Sequence, residues 1–232
     1  MVKKHILGFF VKPKSIGIIS GAGPLAGVCL LEQIFCLARE LYGCWRDEDF
    51  PKVMFVSFPF SDMLSEEMDV PQIQGELREC LKKLRDDGAS VIGIACNTLH
   101  AFLGKDEGHH SDLLQLPQLA AEAIPLSAVP LVLGTSTSMR FGLYRRRFPC
   151  IYPDEDAQTE ADRIITQILK GDEPDRVVQE LRSLIQEQDA DVILLGCTEL
   201  SLYKDELLTC EKTIIDPLNL MARQLITKSF GG

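Results

Sequence analysis

The sequence predicts an α/β protein with two similar lobes, each a parallel sheet flanked by helices. Short apolar runs alternate along the chain with amphipathic segments, which is the pattern of parallel strands joined by helical crossovers. A unit of helix, strand and cysteine at 72–98 recurs at 174–199, and its two cysteines, Cys96 and Cys197, stand 101 residues apart. This repeat predicts a pseudo-twofold axis between the lobes, with the active site between them.

The expected lobes are not continuous in sequence. We assign residues 1–101 and 214–232 to lobe one, because we expect the last strand and helix to return to it, and residues 102–213 to lobe two. A chain of 232 residues can form two lobes of about 100 residues each, and no segment rich in Pro, Gly or Ser separates them.

The elements of the first half follow from apolar runs and from helical periodicity. Residues 20–24 form a glycine-rich turn, and Gly88 ends the helix that precedes the first cysteine strand. The predicted elements are, in order, a strand at 15–19, a helix at 25–42, a strand at 53–58, a loop at 59–70, a helix at 72–87 and a strand at 91–96.

The second half is less regular from residue 101 to residue 128. A polar loop at 104–111 contains His109 and His110, but no other His or Cys stands nearby at the spacing of metal ligands, so we interpret it as a solvated loop. The arginines at 145–147 are interpreted as a solvated helix face. The predicted elements are strands at 131–134, 151–152, 192–197 and 213–216, and helices at 154–169, 174–188 and 218–229.

Composition argues against several classes of partner. The net charge of −10 leaves no excess of positive charge for the phosphates of a nucleic acid. No run approaches the ~20 apolar residues of a membrane span. The apolar run within residues 1–14 is too short for a signal peptide, so we expect an irregular extension before the first strand. The eight cysteines lack the spacing of a disulfide framework, which favours the reducing cytoplasm.

The turn at 20–24 matches a dinucleotide-binding loop only in part. Gly21 and Gly23 occupy two positions of the glycine pattern, but Ala26 occupies the third, and no acidic residue ends the second strand at the required distance. The N-terminus of the following helix still offers backbone N–H groups to an anion. The turn therefore favours a small carboxylate over a nucleotide.

The two cysteines have similar polar neighbours, since Asn97-Thr98 follows the first and Thr198-Glu199 follows the second. A thiolate is a base whose pKa falls near helix N-termini, and the neighbouring amides and hydroxyls can hold a carboxylate and stabilise an enolate. Two thiols on opposite faces of one carbon can invert a stereocentre, because one removes the proton and the other returns one.

Other interpretations of the cysteines stay open at this point. Either thiol is also explained as a buried core residue, and the pair could form a disulfide in an oxidising compartment. His100, four residues after Cys96, could serve as the base for a nucleophilic cysteine. The hydroxyl-rich turn at 135–138 fits either a carboxylate site or an ordinary helix N-cap.

Several of these segments together resemble the aspartate/glutamate racemase superfamily, and the aspartate racemase branch in particular. The resemblance runs in order from about Ile16 to Ile226. It is carried by two cysteine motifs, an opening turn, a hydroxyl-rich segment and a final strand: Cys96-Asn97-Thr98-Leu99-His100, Gly196-Cys197-Thr198-Glu199-Leu200, Ser20-Gly21-Ala22-Gly23-Pro24, Thr135 to Tyr144, and Ile215-Asp216-Pro217.

The resemblance implies a racemase of aspartate or glutamate that needs no cofactor and no metal, forms a homodimer and works in the cytoplasm. It makes Cys96 and Cys197 the acid/base pair. The residues it implies for the substrate are Gly23 in the opening turn, Asn97, Thr98, Thr135 and Thr198 around the carboxylate, Glu199 near the ammonium group or Cys197, and Lys170 before a helix-ending glycine.

The chain departs from the family at positions that bear on the substrate. The opening turn reads Ser-Gly-Ala-Gly for the family's Gly-Gly-Met-Gly, and Thr137 replaces a glycine. Where aspartate racemases read Pro-Asp-Arg, this chain reads Ser61-Asp62-Met63, which removes a cation that can bind a carboxylate with two hydrogen bonds. A substrate with an uncharged side chain, a hydantoin racemase, a maleate isomerase, a decarboxylase and a non-catalytic carboxylate-binding protein are the alternatives.

Overall fold

Two parallel sheets form the framework of the protein. The computed structural model describes residues 12–65, 67–104, 108 and 110–231. The expected N-terminal extension up to residue 11, most of the charged part of the 104–111 loop and His109 lie outside the described residues. The strands run in the order β2-β1-β3-β4 in the first sheet and β5-β6-β7 in the second.

The first sheet is built on β1 (Ile16–Ser20), which is buried along its whole length. It pairs in parallel with β2 (Val53–Ser57) on one side and β3 (Val91–Ile94) on the other. A two-residue strand, β4 (Leu113–Leu114), continues the sheet beyond β3. Buried parallel strands of this kind are apolar at every position, which is why they are recognised as continuous runs and not as alternating ones.

The second sheet has β6 (Val192–Leu195) at its centre, between β5 (Leu131–Leu133) and β7 (Thr213–Ile215). All four residues of β6 are buried. Ile151, where we predict a short strand, forms a single parallel bridge with Leu131.

Helices cover both sheets. The five longest begin at a side-chain cap or at a proline in the first turn, as helix N-termini prefer. The helices are α1 (Pro24–Tyr42), α2 (Val70–Asp86), α3 (Leu116–Ala123), α4 (Ser136–Arg140), α5 (Glu155–Lys170), α6 (Pro174–Glu187), α7 (Lys204–Leu207) and α8 (Pro217–Ser229). Among the described residues, none of them is long and apolar enough to cross a membrane.

The chain returns to the first sheet one element later than expected. We expected residues 214–232 to belong to lobe one, but β7 pairs with β6 in the second sheet, and only α8 packs against α1. Conversely β4, which falls within the expected lobe two, pairs with β3. Strands of two or three residues carry no signal for their partner, because neighbouring backbones decide the pairing. The remaining lobe boundaries and the pseudo-twofold axis stay predictions.

Candidate active site

Each cysteine follows the end of an interior strand. Cys96 stands two residues after β3 and Cys197 two residues after β6, and a short 3₁₀ helix follows each of them. Backbone hydrogen bonds fix the residues just before the thiols: Ala95 N–H donates to Ile19 O over 2.8 Å, and Gly196 N–H donates to Leu133 O over 2.6 Å. The carboxyl ends of parallel strands are where α/β proteins bind ligands.

Both thiols line one cleft of about 210 Å³ between the two sheets. The thiol-bearing residues are 7% and 5% exposed. The cleft contains all but one of the predicted site residues: Gly23, Cys96, Asn97, Thr98, Thr135, Cys197, Thr198 and Glu199.

Lys170 is the predicted site residue that the structure does not bring to the cleft. It is exposed at the C-terminus of α5, whereas the preceding residue, Leu169, lines the cleft. Side chains one position apart on a helix point about 100° away from each other. The orientation of α5 that places Leu169 at the cleft therefore points Lys170 away from it. The role of Lys170 in binding substrate stays a prediction.

Side-chain hydrogen bonds join the two sheets across the cleft. The Thr198 hydroxyl donates to Ala95 O over 3.4 Å, and the hydroxyls of Thr98 and Thr135 lie 3.5 Å apart. The Thr137 hydroxyl donates to Met63 O over 2.9 Å. Thr135 also caps α4, since its hydroxyl accepts from Ser138 N–H at 3.1 Å. The N-cap interpretation of the 135–138 turn is therefore confirmed, and the role of Thr135, which also lines the cleft, in binding a carboxylate stays a prediction.

Tyr144 orients the amide of Asn97. The tyrosine is 1% exposed, and its hydroxyl donates a hydrogen bond to Asn97 Oδ1. The amide nitrogen of Asn97 is buried, and no described residue accepts a hydrogen bond from it. Tyr144 closes the hydroxyl-rich motif in the sequence, but the sequence does not predict its hydrogen bond to Asn97. The two residues are 47 positions apart, and such a pairing leaves no local signal.

Glu199 contacts the second thiol and the opening turn. The Cys197 thiol donates to Oε2 of Glu199 over 2.9 Å, and the Thr198 hydroxyl lies 3.3 Å from the same oxygen. The other oxygen, Oε1, is buried and finds no donor in the described part of the chain. Gly23 lies directly against Oε1, because a Cβ atom at this position would be only 1.5 Å from it. Burial raises the pKa of Glu199.

Both thiols resist ionisation. Burial, and next to it the negative charge of Glu199, raises the pKa of Cys96 to about 12. Burial raises the pKa of Cys197 well above its usual value, and the charge of Glu199 and its hydrogen bond with the thiol add to the effect. The thiols are therefore protonated at neutral pH, and a reaction that needs a thiolate must supply a compensating positive charge.

His100 is occupied by the backbone. Its Nδ1–H donates to Cys96 O at 2.8 Å, and its Nε2 accepts from Leu116 N–H at 3.3 Å. These two contacts define a neutral ring, and burial lowers its pKa to about 4. Because both ring nitrogens hold backbone groups, His100 positions the turn that carries Cys96 and does not act as its base.

Two parallel sheets with a pair of buried thiols in the cleft between them define an α/β protein with a small-molecule site. The model of the Asp/Glu/hydantoin racemase family matches residues 19–225, and the chain belongs to this family. Membership makes the protein an isomerase. The predicted resemblance and the predicted fold class, parallel sheets flanked by helices, are confirmed.

Individual relatives are distant. The broad specificity amino-acid racemase RacX of Bacillus subtilis is 23% identical over 91% of this chain and 96% of its own. The structure of Picrophilus torridus aspartate racemase matches with a TM-score of 0.76 at 24% identity, over 93% of this chain and 94% of that one. Glutamate racemase RacE1 of Bacillus anthracis matches with a TM-score of 0.65 at 18% identity, over 94% and 82%. At these identities the structures show a shared fold.

We predict that Gly23→Ala reduces racemase activity by about 100-fold, because the new methyl group displaces Glu199 by the order of an ångström. The matched control is Gly88→Ala. Gly88 has a φ of 86°, close to the 80° of Gly23, but a Cβ there meets no described atom within 4 Å. Both variants carry similar backbone strain, measured by thermal unfolding, and racemisation assays separate them. Equal loss of activity in both would contradict the contact between Gly23 and Glu199.

We predict that His100 makes the fold acid-sensitive. Its folded pKa of about 4 lies below the ordinary 6.5, so the unfolded chain binds the proton first. The neutral ring therefore contributes to the free energy of unfolding above pH 6.5. This contribution, of the order of 3 kcal/mol, is lost as the pH falls from 6.5 towards 4. In chemical unfolding, the difference in free energy between wild type and His100→Asn should shrink across this range. A difference independent of pH would contradict the assignment.

Proposed function

We propose that the protein is an amino-acid racemase that uses Cys96 and Cys197 as a two-base pair. The observation that carries the proposal is that both thiols line the same cleft, one from each sheet. If the two cysteines were only core residues, nothing in the fold would bring them to the same cleft, since a structural thiol can lie anywhere in either core.

The reaction exchanges one proton at each face of the α-carbon. One sulfur, as the thiolate, takes the α-hydrogen as a proton, so that the Cα–H bond breaks and an S–H bond forms. The electron pair moves into the carboxylate as an enolate, which N–H and hydroxyl groups of Asn97 and Thr98 stabilise. The other thiol then gives its proton to the opposite face, which leaves the opposite enantiomer and a thiolate on the second sulfur.

Two unpaired polar atoms match the two ends of an amino acid. Nδ2 of Asn97 can donate to a carboxylate, and Oε1 of Glu199 can accept from an ammonium group, while neither has a partner among the described residues. Both residues line the cleft, and an unpaired donor beside an unpaired acceptor fits a zwitterionic ligand. Maleate and hydantoins lack the ammonium group, and this favours the amino acid over both.

The substrate's own ammonium group would help to form the thiolate. The charge of Glu199 raises the pKa of both thiols. An ammonium group on Oε1 offsets that charge and lowers the cost of ionising a thiol nearby. In this proposal the strong base exists only when the substrate is bound.

Assembly and location are parts of the proposal as well. The resemblance, which by itself implies aspartate or glutamate as the substrate, supports a homodimer as the assembly. All eight cysteines lie in the described part of the chain and are free thiols, which supports a reducing compartment such as the cytoplasm.

We predict that Cys96→Ser and Cys197→Ser each lower racemisation by about 10³-fold or more, since a hydroxyl is a far weaker acid than a thiol. Each variant keeps one thiol and should exchange the α-proton of one enantiomer with D₂O, opposite enantiomers for the two variants. The control is Cys36→Ser, an exposed cysteine outside the cleft, which should behave as wild type. NMR of the α-proton measures all three, and full racemisation by either active-site variant would refute the two-base mechanism.

We predict that Glu199→Gln separates thiol reactivity from turnover. Removing the carboxylate lowers the pKa of Cys197. Near neutral pH, iodoacetamide should therefore modify this cysteine about tenfold faster for each unit by which its pKa falls. Racemisation should nevertheless fall, because the acceptor for the ammonium group is lost. Glu211→Gln, at an exposed position outside the cleft, serves as the control. Peptide mass spectrometry follows the modification, and slower alkylation in Glu199→Gln would contradict the role of Glu199.

A further inference from the structure

The cleft has an apolar part that the chemistry at the thiols does not use. It is formed by the loop after β2, which comes from the first sheet, and by the C-terminal half of α5, which comes from the second. Its apolar residues are Phe60, Met63, Leu64, Ile165 and Leu169. Leu64 and Leu169, which are 59% and 43% exposed, lie together at the lining of this cleft, so a side chain bound there could cover both.

The polar groups of the β2–α2 loop are engaged with the protein itself. Ser61 donates from its backbone N–H and its hydroxyl to the carboxylate of Glu76, over 3.0 and 2.6 Å. Asp62 accepts from Leu64 N–H at 2.8 Å, and this bond lowers the pKa of Asp62, which is therefore ionised at neutral pH. Neither side chain is left as a donor for a substrate carboxylate.

Met63 is held in place from the other sheet. Its carbonyl accepts the hydroxyl of Thr137, so the loop is fixed where its thioether side chain meets the cleft. Ile165 and Leu169 stand four residues apart on α5 and share one face of that helix. The loop and the helix together form an aliphatic wall.

The charges around the cleft are all negative. Its only charged lining residues within the described chain are Asp62 and Glu199, and the described lining contains neither Lys nor Arg. A carboxylate on the substrate side chain would lose water without gaining a cation and would meet two carboxylates. An aliphatic side chain would instead be covered by the wall and would cover Leu64 and Leu169 in return.

We infer that the substrate is an amino acid with an uncharged aliphatic side chain of about the length of leucine or methionine, and not a dicarboxylate. This inference rests on the proposed racemase function and names its substrate class. The side chain lies against Met63 and the α5 face, while the polar atoms near the thiols bind the carboxylate and the ammonium group.

The test is α-proton exchange in D₂O, with fully reduced protein and a panel of leucine, methionine, aspartate, glutamate and lysine. We expect exchange of leucine and methionine to be on the order of 100-fold faster, as kcat/KM, than that of the charged amino acids. Faster exchange of aspartate, glutamate or lysine would overturn the inference and leave the racemase function standing. No exchange with any amino acid would refute the racemase function itself, and the inference with it.

A substitution at the wall tests the same inference from the protein side. Met63→Arg places a cation in the apolar part and should raise exchange of aspartate while it lowers exchange of leucine. Leu208→Arg adds the same charge at a residue that is 60% exposed and does not line the cleft, and it should leave both rates unchanged. If Met63→Arg fails to fold, Met63→Leu takes its place. It conserves volume and should keep the preference for leucine, and loss of that preference would overturn the inference. Unchanged selectivity in folded Met63→Arg would overturn the inference.

Discussion

The hydrogen bonds that join the two sheets across the cleft are the constraint on which the site depends. No strand of one sheet pairs with a strand of the other among the described residues, so the distance between the thiols is set by side chains. The contact from Thr198 to Ala95 O links the second thiol's turn to the residue beside the first thiol. The Thr98–Thr135 contact closes the same gap a few residues further on. In the proposed mechanism, a base and an acid that act on one carbon must be held to within a fraction of an ångström, and these contacts contribute to that positioning.

The tight packing around the two thiols also makes it harder to form a thiolate. A cleft that excludes water strengthens hydrogen bonds to an enolate, but it also opposes the thiolate that must form first, and Glu199 adds its negative charge to that opposition. In the proposed mechanism, the thiols of such a cleft stay protonated until a cation enters, which would also suppress premature oxidation or alkylation, since only the thiolate is reactive. The reactive form and the substrate would then arrive together.

Much of this arrangement is readable in the sequence, for identifiable reasons. A buried parallel strand is a continuous apolar run, so the strands before Cys96 and Cys197 stand out, and their shared neighbours suggest that the thiols meet. Helical period and caps such as Asp154 locate the five longest helices to within two residues. The short helices α3, α4 and α7 are not predicted, because four to eight residues give too little periodicity. The partner of β7 and the existence of β4 are not readable, because such short strands are defined by backbones distant in sequence.

Side-chain contacts over long sequence separations are the other part that the sequence does not show. Tyr144 gives no local sign that it orients Asn97, and the register of α5 that turns Leu169 inward and Lys170 outward depends on how the helix packs. A resemblance to a family predicts the residues that the shared reaction requires more reliably than the residues that bind the substrate side chain, because the substrate differs between members. The thiols belong to strand ends, where any displacement disrupts a core.

In this proposal, selectivity resides on parts of the fold that can change without moving the thiols. The backbone of the β2–α2 loop is held by the hydrogen bond from Thr137 to Met63 O, so the side chain at position 63 can differ while the loop keeps its place. On α5, Ile165 belongs to the core of the second sheet as well as to the cleft, whereas Leu169 at the helix end lies outside that core. A fold with this construction can keep one mechanism and alter its substrate by changes at a loop and a helix end. For this chain, the described lining at those two places is apolar or acidic apart from Ser61, and the polar groups that could bind a zwitterion are at the strand ends.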